Sequence, residues 1–184
     1  MKRRHFVLTT LLSLPATIFA KVGNLKKAGR PKKGILIRAN ESRFDGEQKT
    51  VKNVIGRCLV SSADTEGELL IVAPGEKTFA FKGGPPLHIH KYQDEIFFVA
   101  SGEFLIQIDK EVHTVKTGDT VFIPRGVPHT FANPIENNSG SLISIHQPAG
   151  KNEEFFKYLC TYEKMPDHEI DPDSPVVGEP INIG

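Results

Sequence analysis

Gly83-Gly84-Pro85-Pro86-Leu87-His88-Ile89-His90, with Glu95 after four further residues and Gly102 after six more, is the stretch on which the reading of this chain turns. A second block complements it: Gly118, five residues, Pro124-Arg125-Gly126, two residues, His129, three residues, Asn133. Along a strand, side chains at i and i+2 share a face, so His88 and His90 present their imidazoles side by side. Glu95 lies at an odd offset from His90 and joins that face only if the chain turns at Lys91-Tyr92-Gln93-Asp94, which is polar enough to do so. Residues 96–100 then read as a buried strand with Glu95 at its start. Two neighbouring imidazoles, a carboxylate and a third imidazole further along suit a single transition-metal ion.

Outward from these blocks the pattern is almost wholly β. Short runs rich in Val, Ile and Phe fall at residues 54–60, 69–73, 79–81, 96–100, 104–108, 112–115, 120–123, 129–132 and 142–146. Turn signals separate them, among them Ala73-Pro74-Gly75, Ser101-Gly102 and Lys116-Thr117-Gly118-Asp119. Many short strands at close spacing predict an antiparallel sandwich or barrel. Residues 152–159 then carry an early acidic turn followed by apolar residues at helical spacing, which predicts one amphipathic helix outside the barrel. From Met165 onward Pro and Asp dominate, and an irregular tail is expected.

The two blocks together resemble the paired signature of the cupin superfamily, most closely the small single-domain, quercetin-dioxygenase-like type. The first block departs at its opening, where the leading Gly of the pattern falls on Lys82 and Gly83 stands one place later; the second fits at every defined position. The resemblance implies an all-β fold, a single cupin jelly-roll β-barrel over residues 50–150 with the C-terminal helix and tail at 151–184. It implies His88, His90, Glu95 and His129 as ligands of one divalent transition metal, with Fe, Mn, Ni, Cu, Co and Zn all compatible. Gly102, Gly118 and Gly126 would serve tight turns and Pro124 would end a strand, while Asn133 would fix a turn. Barrels of this family often pair edge to edge, which makes a homodimer an option.

Strand parity places Phe97 and Val99 on the face of Glu95, and Phe131 on that of His129. These residues, with His146 at the end of a strand, are candidates for the substrate pocket; ordinary barrel packing is the competing reading. Tyr92 and Gln93 fall in the turn beside the ligands, and Arg125 near His129 reads either as an anion contact or as a surface residue. His113 reads as solvent-facing and His168 as inert.

Composition sets the compartment and excludes some partners. Residues 1–40 hold no acidic residue, whereas the later chain is acidic, which argues against nucleic-acid binding by the main domain. Met1-Lys2-Arg3-Arg4 followed by an uncharged, largely apolar run to Ala20 has the make-up of a signal peptide over residues 1–20. Arg3-Arg4-His5-Phe6-Val7 also resembles a twin-arginine signal, although Lys2 stands where Ser or Thr is usual. Residues 21–49 read as a basic linker and lead-in. Export to a bacterial periplasm is therefore expected, with no stable membrane insertion after cleavage and about −2 net charge on the mature chain. In that compartment Cys58 and Cys160 could pair, or both could be buried thiols.

Three function classes fit these residues. The first is a metal-dependent, dioxygenase-like oxidoreductase acting on a small organic substrate, with an aromatic-lined wall suited to a flat one. In it Glu95 is the catalytic residue, as ligand or, once detached, as base. The second is a non-redox isomerase or lyase using the ion as a Lewis acid. The third is a non-catalytic module binding a metal or small ligand. The fold does not choose between them.

Overall fold

The computed structural model describes residues 30–78, 82–166 and 170–184. The expected signal peptide, most of the basic linker before residue 34, the short strand at 79–81 and His168 lie outside the described residues. The described chain runs β1 (Glu41–Ser42), β2 (Lys49–Thr50), β3 (Gly56–Val60), β4 (Leu70–Pro74), β5 (Asp94–Ser101), β6 (Glu103–Ile108), β7 (Glu111–Lys116), β8 (Thr120–Ile123), β9 (His129–Ala132), β10 (Ser141–Gln147) and α1 (Asn152–Tyr162). It is all-β with a C-terminal helix, as the alternation of the sequence predicts.

A five-stranded sheet of order β3-β4-β10-β5-β8 faces a three-stranded sheet of order β7-β6-β9, and every pairing is antiparallel. The inner strand β5 shows why. Glu95, Phe97 and Val99 are buried while Phe98 and Ala100 are exposed, so one face enters the core and the other is left outside. Phe97 and Val99 meet Ile123 and Leu142 of their own sheet and Phe104, Ile106 and Val115 of the other. That cluster is the seam between the sheets. Gly102 and Gly118, with φ of 84° and 92°, take the chain from β5 into β6 and from β7 into β8.

A second cluster forms where Cys58, Leu70, Val72 and Ala149 are covered by Phe44 and by Phe156 of α1. Glu153 in the first turn of α1 fixes the helix here. Its carboxylate accepts hydrogen bonds from Asp45 N, Ser61 Oγ and Ser62 N, each at 2.7 Å, and from Ser62 Oγ. A carboxylate so supplied with donors tolerates its burial. Both cysteines are free thiols, and Cys160 Sγ donates to the Gly56 carbonyl at 3.1 Å. Among the described residues no helix is long and apolar enough to cross a membrane.

The tail is irregular by element but not idle. Residues 87–91 hydrogen-bond on two edges, as an inner strand does. On one edge His88 N donates to His129 O at 3.0 Å and His129 N donates back at 2.9 Å. On the other, Ile89 N donates to Pro175 O at 3.2 Å, Lys91 N to Asp173 O at 2.8 Å, and Val177 N to Leu87 O at 2.8 Å. The three-stranded sheet thus continues through residues 87–91 to the tail, which covers its edge.

Candidate metal centre

The approach of the histidine segment to β9 depends on Gly84. A Cβ there would lie 1.7 Å from Phe131 O, a backbone atom with no freedom to withdraw. The two segments therefore run close enough to set His88 against His129, with ring centroids 4.6 Å apart. Lys91 and Tyr92 make the turn that brings Glu95 onto the same side, and Tyr92 itself is exposed. His88, His90, Glu95 and His129 each offer one ligand atom, and those atoms all lie within 4.8 Å of one another. His90, Glu95 and His129 are buried, and His88 is partly exposed, so it marks the side from which solvent reaches the group.

Hydrogen bonds behind the rings decide which nitrogens face inward. His88 Nδ1 lies 2.9 Å from Pro86 O and His129 Nδ1 lies 2.8 Å from Val127 O. A carbonyl only accepts, so each Nδ1 carries a proton and Nε2 is the nitrogen turned to the interior. His90 turns Nδ1 to Ser174 Oγ at 2.7 Å and Nε2 toward Glu95. Glu95 Oε2 sits 3.1 Å from His90 Nε2 and 2.8 Å from His129 Nε2. Three imidazole nitrogens and a carboxylate oxygen converging on one point form a donor set suited to a cation. The residues fit a divalent transition metal.

The other carboxylate oxygen is occupied. Ser144 Oγ donates to Glu95 Oε1, and His146 Nε2 lies 2.9 Å from that hydroxyl. Asn152 Nδ2, at the start of α1, donates to His146 Nδ1 at 2.9 Å. The chain Asn152–His146–Ser144–Glu95 has one consistent direction of donation, with His146 neutral and protonated on Nε2.

Electrostatics agree. Burial holds His88 and His146 down at about 4, against the opposing pull of Glu95. For Glu95 burial acts to raise the carboxyl, yet His146 and the hydrogen bonds with His129 and His90 outweigh it and carry it well below the usual range. His129 is also opposed by burial, but its contact with Glu95 raises it. Without a metal, a proton on His129 faces the carboxylate.

The residues expected at the pocket divide. Phe97 packs against His129 and Phe131, with ring centroids 6.3 and 5.7 Å away, so both phenylalanines stand beside the group. Val99 lies deeper, within the seam between the sheets. His146 stands behind Glu95, 3.6 Å from Oε1. Arg125 is engaged with Asp94, Nη2 to Oδ2 at 2.6 Å, and the guanidinium lowers that carboxyl. Gln93 is buried, and its Oε1 has no hydrogen-bond partner among the described residues. Asn133 fixes a turn, accepting from Ile135 N and Asn138 Nδ2, and His113 is exposed.

Ser144, Asn152, Asp171 and Ser174 escape the sequence reading. Ser144 left a trace, as a polar residue beside His146 on the inward face of β10. Ser174 left none, since 84 positions separate it from His90.

Residues 68–146 match the family model described as cupin domain. A stretch of 63 residues is 38% identical to an uncharacterized protein, MJ1618, of Methanocaldococcus jannaschii, covering 34% of this chain and 45% of that one. Another is 33% identical over 63 residues to protein SchB of Streptomyces halstedii, covering 34% of this chain and 41% of that one. The chain thus spans under half the length of the curated relatives it matches. Among solved structures, an RmlC-like cupin from Shewanella frigidimarina aligns with TM-score 0.42 and 26% identity, covering 53% of this chain and 78% of that one. KdgF from a Halomonas species aligns with TM-score 0.40 and 18% identity, covering 50% and 76%.

Proposed function

The chain is a member of the cupin superfamily through its domain at residues 68–146, and from that premise we propose that it is a metal-dependent oxidoreductase of the dioxygenase type. In this reading one divalent transition metal is held by His88, His90, Glu95 and His129. The observation that carries the proposal is the convergence of four ligand atoms within 4.8 Å, three of the residues being buried.

A redox-active ion in this setting supplies electron transfer between a bound organic substrate and dioxygen. The chain's own residues do the rest. Pro86 and Val127 carbonyls orient two imidazoles, and Ser144 holds Glu95 by Oε1, so that Oε2, turned to the imidazoles, is the oxygen that would bind the ion or take a substrate proton. Phe97 and Phe131 supply a flat apolar wall beside His129, suited to a small aromatic substrate. We extend the proposal to the compartment: residues 1–20 act as an export signal and the mature protein works in a bacterial periplasm. Mass spectrometry of the mature N-terminus checks this.

The test of function is elemental analysis of protein purified without chelator or added metal, repeated on His129→Ala. About one iron, manganese, copper or nickel per chain, lost in the variant, is the expected result and leads to dioxygen-uptake screens. Zinc alone moves the assignment to Lewis-acid isomerisation or elimination. No metal, with none taken up on reconstitution, overturns the enzyme reading.

A further inference from the structure

Behind His90 stands a pair of tail residues that lie beyond the matched cupin domain. Ser174 Oγ is 2.7 Å from His90 Nδ1 and donates to Asp171 Oδ2 at 2.9 Å. Asp171 is itself buried, its Oδ1 accepts from Asp173 N at 3.1 Å, and Ser174 N donates to Asp171 O at 3.0 Å. The pair is therefore a fixed turn rather than two side chains meeting by chance.

The direction of donation follows from chemistry. An ionised carboxylate only accepts. Asp171 therefore accepts the hydrogen bond of the serine hydroxyl, and the serine oxygen is left to accept from His90 Nδ1–H. His90 Nε2, 3.1 Å from Glu95 Oε2, is then the nitrogen left to ligate a metal. The other two imidazoles achieve the same with local carbonyls two residues away; His90 depends on a segment 84 positions distant. Burial of His90 makes these hydrogen bonds worth more than they would be in water.

We propose that Asp171 and Ser174 are positioning residues for His90, and that docking of the tail along residues 87–91 and metal binding support each other. This rests on the metal-site reading above. A tail that holds His90 in the ligating tautomer raises metal affinity, and by reciprocity a bound metal stabilises the docked tail.

The test uses the full-length protein, stripped of metal and titrated with Co2+, whose visible absorption reports ligation. Wild type takes up about one Co2+ per chain. Ser174→Ala weakens binding by about 10- to 100-fold, and Ser174→Thr, which keeps the hydroxyl, restores it. Hydrogen exchange at the amides of Ile89, Lys91 and Val177 slows on adding Co2+ in wild type and in Ser174→Thr, but not in Ser174→Ala. Undiminished affinity in Ser174→Ala overturns the inference while the four-ligand site stands. A threonine variant no better than alanine assigns the loss to packing and overturns it too. Wild type that takes up no Co2+ removes the site and the inference together. Asp171→Asn serves if Ser174→Ala does not fold: binding weakened severalfold supports the inference, and wild-type affinity overturns it.

Discussion

His129 Nε2 lies 2.8 Å from Glu95 Oε2 while its Nδ1 lies 2.8 Å from the Val127 carbonyl. With both nitrogens against acceptors, the metal-free ring is satisfied only as the imidazolium, in keeping with its raised pKa. Metal binding must therefore expel that proton. Calorimetric titration with Zn2+ near neutral pH, in buffers of different ionisation enthalpy, should show release of about one proton per ion. The apparent affinity should fall as the pH is lowered. A heat independent of the buffer would contradict the His129–Glu95 pair.

Replacing a ligand should empty the site without unfolding the barrel. His88 and His129 lie beside, not within, the seam of Phe97, Val99, Phe104, Ile106, Val115, Ile123 and Leu142. His88→Ala and His129→Ala should each lose most of the bound metal and keep the circular dichroism of a folded β protein. If both kept full metal, the ligand assignment would be wrong; if both unfolded, the ion would be structural.

Acid should destabilise the metal-free protein in a defined window. His88 and His146 hold about 4 in the folded state against an ordinary value of 6.5. Between those values the unfolded chain binds protons that the folded chain does not, so stability rises with pH across the window and is lost as pH falls toward 4. Glu95, lowered well below 4.5, adds loss in the same direction at still lower pH. His129, raised, acts oppositely: its contribution is fully present below 6.5 and fades as pH rises through its folded value. Urea denaturation from pH 4 to 7 in the presence of chelator measures this. A His146→Asn variant should flatten the dependence between 4 and 6.5.

Glu153 should prove structural. Glu153→Ala leaves Asp45 N, Ser61 Oγ, Ser62 N and Ser62 Oγ without their acceptor, at a cost of about 3 kcal/mol. Urea denaturation reads the loss. Metal content at low denaturant should stay at the wild-type level, because the hydrogen bonds of Glu153 go to Asp45, Ser61 and Ser62 and not to the ligand group.

Gly84→Ala should damage both. Its Cβ would meet Phe131 O at 1.7 Å and Ala132 Cα at 3.0 Å, and relief requires parting the histidine segment from β9. A loss of about 3 kcal/mol or more, with reduced metal content, is expected. Wild-type stability in this variant would mean that the two segments do not approach so closely.

Much of this was legible in the residues because it depends on local rules. The strands follow from period-two alternation, and β5 to β10 fall within a few residues of the runs read from sequence. The ligand group follows from i, i+2 spacing plus a turn that restores parity at Glu95. What stayed hidden depends on contacts across the chain. Residues 41–50 read as a lead-in, yet they form the β1–β2 hairpin, because neither two-residue strand has a periodic pattern to show. The tail, rich in Pro and Asp, carries the turn chemistry of Asp171 and Ser174, but nothing in it points to an imidazole. Val99, placed by parity on the face of Glu95, lies in close-packed core, since parity fixes a face and not a depth.

The tail also closes a sheet edge. Without residues 173–179 the amides of Leu87, Ile89 and Lys91 and the Leu87 carbonyl would lose these partners and leave a strand edge uncovered. Such an edge templates pairing with another molecule. Detaching the tail would thus turn a closed sheet into one open to intermolecular growth, and the segment most exposed to that fate is the one that carries His88 and His90.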